Sequence, residues 1–204
     1  MYKKPVIDFE GVEGSGKTYH IKFVCKYLKK KRISYIKLRE PGGSKNSEKI
    51  RSLILNNKSN FNKSTDLLLY LSARSENIEY LKKFYKKRII IIDRFTDYTI
   101  AYQHYGMGVN LSIIEKINSY LLKNFKADFT FLNIVNHKNM KVRLKKRKSL
   151  NRYDKFEDSF YKKVQNGFLK LAKKNKKKYQ IIDSNLDISL NRKTVLNKLD
   201  KLIK

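Results

Sequence analysis

The 204-residue chain has no tryptophan, one cysteine and two prolines, and only 18 acidic residues stand against 48 lysines and arginines. Each scarcity excludes something. A single cysteine, Cys25, cannot close an internal disulfide, so a packed core must hold the fold. At a helical position it reads as a small core residue, and it fits a reducing compartment. No Pro/Ser-rich linker or internal repeat occurs, so residues 1–204 are expected to form one domain. No run of about 18 apolar residues is present, so no membrane-crossing helix is expected. The opening stretch MYKKPVIDFEG passes directly into a strand and leaves no space for a signal peptide, so a cytoplasmic protein is expected. What is present is enough for a globule: 41% of residues are hydrophobic and 12% aromatic.

The net charge of +30 suggests polyanion partners. The basic runs Lys29–Arg32, Lys82–Arg88, Lys145–Lys148 and Lys173–Lys178 are, however, scattered along the chain. Abundant Asn, Ile and Tyr accompany the lysines, a bias that an AT-rich genome produces without selection for binding. No aromatic-interleaved nucleic-acid motif stands out. Salt-sensitive, non-specific attraction to nucleic acid is expected, with no specific nucleic-acid partner and no membrane.

Strands and helices alternate along the chain. PVIDFE (5–10), SYIKLRE (34–40), RIIIIDR (88–94), DFTFLNIV (128–135) and YQIIDS (179–184) read as strands. The apolar run before Asp93 is that of a central parallel strand buried on both faces. Helical periodicity follows Lys17 and recurs over Ser47–Leu55, Thr65–Phe84, Leu111–Phe125, Asn139–Lys148, Ser159–Lys174 and Asp187–Lys204. The fold class is therefore α/β, with a five-stranded, mostly parallel sheet flanked by helices. Residues 145–158 are the least patterned and are expected to form a short, basic, mobile lid.

Gly11-Val12-Glu13-Gly14-Ser15-Gly16-Lys17-Thr18 matches G-x-x-x-x-G-K-[ST], the phosphate-binding loop. Its glycines let backbone N–H groups wrap a phosphate, and the following helix N-terminus adds its dipole. Lys17 should reach the β- and γ-phosphates, and Thr18 should ligate Mg²⁺. Asp93-Arg94 closes a strand, where ligands of α/β sheets bind. Asp93 suits the Mg²⁺ shell and Arg94 an acceptor phosphate. Such a loop alone leaves kinase, GTPase, helicase and motor ATPase open, but the length and the short basic lid suit a nucleotide or nucleoside kinase. His20, His104 and His137 read as structural or surface residues.

Further motifs lie in register along the whole chain: F-E-G-x-E-G-S-G-K-T, R-E-P-G-G (39–43), E-K-I-R-S-L-I-L (48–55), S-A-R (72–74) and D-R-F-x-D-x-T-x-A-Y-Q (93–103). With these the chain resembles the bacterial thymidylate kinases, of the P-loop nucleoside monophosphate kinase family. The resemblance implies transfer of the ATP γ-phosphate to dTMP with Mg²⁺, in a homodimer joined through helix faces that include Leu67–Ile78. It implies that Glu13 meets the deoxyribose 3′-hydroxyl, and that Arg51 and Arg94 hold the dTMP phosphate with Glu40 nearby. Tyr70 would stack on thymine, Arg74 would bond its O4, Thr99 and Gln103 would touch the base edge, and Tyr102 would pack under the sugar. Gly14 stands where some relatives carry an arginine, so the bacterial pattern draws its cation from the lid. Arg143 is then expected near the adenine, and Arg147 and Arg152 at the transferred phosphoryl, with Lys145 assisting. Tyr98, in place of a frequent Ser, alters the acceptor pocket. Another nucleoside monophosphate or deoxynucleoside kinase, and a nucleic-acid-binding P-loop ATPase, are the alternatives.

Overall fold

A computed structural model describes residues 4–147 and 149–204. The strands are β1 (Val6–Glu10), β2 (Tyr35–Arg39), β3 (Ile89–Asp93), β4 (Phe129–Ile134) and β5 (Tyr179–Asp183). They form one sheet in the order β2-β3-β1-β4-β5, with every pair parallel. The helices are α1 (Lys17–Lys30), α2 (Lys45–Leu55), α3 (Lys63–Lys82), α4 (Thr96–Thr99), α5 (Leu111–Leu122), α6 (His137–Lys145), α7 (Asp158–Lys174) and α8 (Ile188–Ile203).

Pleating sends alternate residues of β1 to opposite faces. Ile7 and Phe9 pack with Val24 and Leu28 of α1 and Leu199 of α8. Val6, with Ile90 and Ile92 of β3, packs on the other face against Ile78 and Leu81 of α3. Asp8 and Glu10 share the face of Val6 and are buried there. The central strands β1 and β3 thus carry their C-terminal ends to one edge, with Phe9 opposite Asp93. Binding residues at that edge rest on fully buried, rigid backbone.

Several expected boundaries shift for identifiable reasons. Helix α3 starts at Lys63, because the Asn62 side chain accepts from the N–H groups of Ser64 and Thr65. Helix α6 starts at His137 behind the Asn136 cap and ends at Lys145; the expected end, Lys148, lies outside the described residues. After α4 the chain widens into a π-helical segment, Ile100–Gly106. Part of the expected lid is ordered: Arg152–Lys155 is a 3₁₀ turn with a capping box between Asn151 and Asp154, and Tyr153 is buried. Leu67 and Ile78 of α3 are buried within the chain's own core, and Leu68 is its exposed leucine. No helix among the described residues is long and apolar enough to cross a membrane.

Candidate active site

Where β1 ends, Gly11 turns the chain at φ 136°, and a Cβ there would stand 2.1 Å from the Asn133 carbonyl oxygen. Only glycine fits this approach to β4. Lys17, the first residue of α1, folds its ammonium onto the carbonyl oxygens of Gly11 (2.5 Å) and Val12 (3.0 Å), with Ser15 Oγ at 3.4 Å. Burial, helped by the charge of Arg94, lowers its pKa to about 8. A phosphate offers this desolvated cation a better partner than two carbonyls.

Thr18 and Asp93 line a common cleft of about 170 Å³ with Glu13 and Arg94. Asp93 Oδ1 is buried without a hydrogen-bond partner. An orphaned carboxylate oxygen beside an exposed hydroxyl fits a Mg²⁺ site. No group of three or more His, Cys, Asp or Glu among the described residues could hold a metal ion. The ion's shell would then be filled by water and phosphate oxygens, as Mg²⁺ favours.

Four arginines, Arg39, Arg51, Arg94 and Arg147, converge on the same cleft. Arg51 donates to the Pro41 carbonyl at 2.7 Å, after the cis Glu40–Pro41 bond. Arg94 sits at positive φ (70°) and donates to Glu13 at 2.7 Å. Burial disfavours its charge, but Glu13 and then Tyr98 and Tyr102 hold its pKa well above the usual value. Glu13 also accepts from the Tyr102 hydroxyl. The acid in the phosphate loop is therefore clamped between a cation and a phenol and faces the cleft.

The aromatic wall is made by Tyr70, Tyr98 and Tyr153. Tyr98 stacks on Tyr102 with centroids 4.0 Å apart, and its hydroxyl lies 3.2 Å from that of Tyr70. Helical spacing in the segment after Arg94 sets this stack. Tyr153, which the sequence reading left out, packs edge-on to Tyr70 from the lid segment.

Behind that wall lies a buried polar layer. Arg74 is 1% exposed and donates to Glu40 (2.8 Å), Asn118 (2.7 Å), the Phe95 carbonyl (2.7 Å) and Thr99 Oγ1 (2.9 Å). Arg74, Glu40, Thr99 and Gln103, all expected at the acceptor, are placed in this layer rather than on the cleft surface. Gln103 donates to Asp66 at 3.3 Å, and Asp66 also accepts from Arg152 and the Tyr153 hydroxyl. The structure thus separates the two lid arginines. Arg147, paired with Asp154, reaches the cleft, whereas Arg152 is turned to Asp66 and the Ile54 carbonyl. Asp66 reads in sequence as a first-turn helix acid; only its burial reveals it as the anchor of the Arg152–Lys155 turn.

On the other side of the loop, Arg143 ties the Gly14 carbonyl (2.9 Å) to that of Ser184 (2.7 Å). With Gly16, Tyr19, His20 and Ser184 it lines a second cavity of about 250 Å³. Burial lowers the His20 pKa to about 4, so the imidazole there is neutral. The loop therefore contributes to two cavities, one apolar and one rich in arginine.

Glu10 caps the start of α4 by accepting from the N–H groups of Phe95 (2.8 Å) and Tyr98 (2.9 Å). Burial, then the charge of Asp97, raises its pKa to about 8. A carboxyl raised this way favours folding below its unfolded value near 4.5 and loses that contribution as pH rises toward 8. Glu10→Gln keeps an acceptor for both N–H groups and removes the titration. Urea unfolding should show a shallower loss of stability between pH 5 and pH 8 in Glu10→Gln than in the parent. Equal slopes would show that Glu10 is not the group responsible.

The chain is similar to known proteins along nearly its whole length. The family model described as "Thymidylate kinase" matches residues 9–195. The thymidylate kinase of Thermoanaerobacter sp. (strain X514) is 32% identical over 204 residues, covering 98% of this chain and 100% of its own. That of Thermosipho africanus (strain TCF52B) is 37% identical over 169 residues, covering 82% and 84% respectively. The crystal structure of thymidylate kinase from Ehrlichia chaffeensis superposes with a TM-score of 0.77 at 30% identity, covering 97% of this chain and 98% of that one. With the family model spanning residues 9–195 and relatives above 30% identity matched over most of their length, the chain belongs to the thymidylate kinase family.

Proposed function

We propose that the cleft phosphorylates dTMP to dTDP with ATP as donor and Mg²⁺ as the metal. The observation that carries this reading is that Thr18 and Asp93 share one cleft with Glu13, Arg51 and Arg94, with the Lys17 ammonium folded onto the adjoining loop. Two phosphate groups must meet, and the cleft concentrates cations where they would do so. Bound through Thr18 and Asp93, Mg²⁺ would supply charge neutralisation on the donor phosphates. Lys17 holds the donor phosphates, and Arg94 and Arg51 hold that of the acceptor. Glu13, set by Arg94 and Tyr102, accepts from the sugar 3′-hydroxyl. Arg147 neutralises the phosphoryl in transit. The acceptor phosphate is already anionic at neutral pH, so no histidine base is needed. Arg143 faces the adenine in the cavity beside Gly16.

The thymine meets Tyr70, with Arg74 one layer deeper. Four of the five guanidinium N–H groups of Arg74 are engaged within the protein, which leaves one for the base O4. A donor there opposes the amino group of cytosine. Thymine differs from uracil by one methyl, worth about 1–3 kcal/mol. A coupled ADP-release assay should therefore rank dTMP first, dUMP second by about 10–200-fold in kcat/KM, and dCMP, GMP and thymidine far below. Faster turnover of dCMP, GMP or thymidine than of dTMP would overturn the reading.

A further inference from the structure

The exposed side of α1 carries two parallel ridges. Tyr19, Phe23 and Tyr27 recur at four-residue steps, and so do Lys22, Lys26 and Lys30. Four residues of helix advance roughly 6 Å, so each ridge repeats at about that spacing. The opposite side of the helix, Ile21, Val24 and Leu28, is buried in the core. Together with Arg192 of α8, the ridges line a groove of about 520 Å³, twice the volume of the cavity beside Gly16, and no acid lines it. Tyr19 is 40% exposed, Phe23 and Tyr27 are half-buried, and the three lysines are exposed. The Arg192 guanidinium lies 4.0 Å above the Phe23 ring, and the Lys31 ammonium 4.7 Å above that of Tyr27. Asp200, the acid close by, is spent on Tyr27 (2.7 Å) and Lys31 (3.2 Å).

We infer that this α1–α8 groove is a binding surface for single-stranded nucleic acid. A row of lysines beside a row of aromatic rings is what an extended strand needs, with phosphates along one edge and unstacked bases along the other. The Arg192–Phe23 stack adds a guanidinium plane on which a base can lie. A duplex keeps its bases stacked and would leave the aromatic ridge unused. An acidic peptide would use the lysines alone. The pattern escapes a linear reading because the two ridges interleave along the sequence and separate only when the helix is formed. It also lifts this patch out of the scattered positive charge, since here the lysines and the rings line one groove.

Fluorescence anisotropy of the full chain with a mixed-sequence single strand of about 20 nucleotides tests the inference. Lys22→Gln/Lys26→Gln/Lys30→Gln should weaken binding at least about tenfold and reduce the slope of log affinity against log salt by about 2. Tyr19→Ala should weaken it several-fold with the salt slope unchanged. Lys173→Gln/Lys174→Gln/Lys177→Gln removes the same charge from exposed positions outside the groove and should change binding little. Equal weakening by that control would show diffuse attraction to the net charge and overturn the inference. Unchanged binding in the groove variants, or polyglutamate of matched charge binding as tightly as the strand, would also overturn it. All substituted positions are exposed, and thermal unfolding confirms that each variant folds.

Discussion

Arg147→Ala is expected to lower kcat by about 10³-fold or more while leaving dTMP affinity within a few-fold of the parent. That loss corresponds to roughly 4 kcal/mol of transition-state stabilisation at 1.36 kcal/mol per decade. The expectation rests on where the side chain lies. Arg147 reaches the cleft from the lid segment, its side chain is 37% exposed, and its partner is Asp154 of the same segment. When Arg147 turns to a phosphoryl group, the buried Asp154 keeps its bonds from Asn151. Arg152 is not in the same position: its side chain is 15% exposed, donates to both Asp66 and the Ile54 carbonyl, and does not line the cleft. Arg152→Ala should therefore act on the lid's attachment first, leaving Asp66 buried with Tyr153 and Gln103 as its partners. Steady-state kinetics, dTMP binding and urea unfolding of the two single variants separate these roles. Near-normal turnover in Arg147→Ala, with turnover abolished and stability intact in Arg152→Ala, would exchange them.

The second large effect concerns Arg74. Arg74→Met should destabilise the fold by about 3–5 kcal/mol, because it strands Glu40 as an unpaired buried carboxylate. Asn118, Thr99 and the Phe95 carbonyl lose their donor at the same time. Burial already raises the Glu40 pKa, and Arg74 is what opposes that rise. Without the guanidinium the pKa climbs further, and a raised carboxyl costs more stability as pH rises above its unfolded value near 4.5. The gap in urea stability between parent and variant should thus be larger at pH 8 than at pH 5. Arg74→Lys restores the charge but cannot span the four acceptors, so it should recover only part of the loss. A variant as stable as the parent at both pH values would show that this layer does not support the fold. If Arg74 served only the base, its loss would change acceptor choice and leave the unfolding midpoint alone.

These two expectations differ from those drawn on sequence alone in an instructive way. There, Arg147 and Arg152 formed one set, and Arg74 was a base contact alone, without the buried layer that it also holds together. The phosphate loop was legible because its chemistry is local: Gly11, Gly14, Gly16, Lys17 and Thr18 lie within eight residues, and backbone conformation there depends on residue type. The strand Ile89–Asp93 was legible for the same reason, as an apolar run ending in an acid. The role of Asp66 was not, because its partners lie 86 and 87 residues away in Arg152 and Tyr153. Tyr153 itself lies in a stretch with no periodicity, and it is ordered by a tertiary anchor and a local cap.

The sequence by itself determined the α/β alternation, the phosphate loop, the Asp93-Arg94 pair and the family. Each depends on spacing within one element or on motifs read in order. Only the tertiary structure decided that Arg74 and Glu40 form a buried layer, that Arg152 is tied to Asp66 while Arg147 reaches the cleft, and that two ridges on α1 form a groove. A charged side chain's task follows from which long-range partners desolvate and neutralise it, and those partners are set by packing between elements.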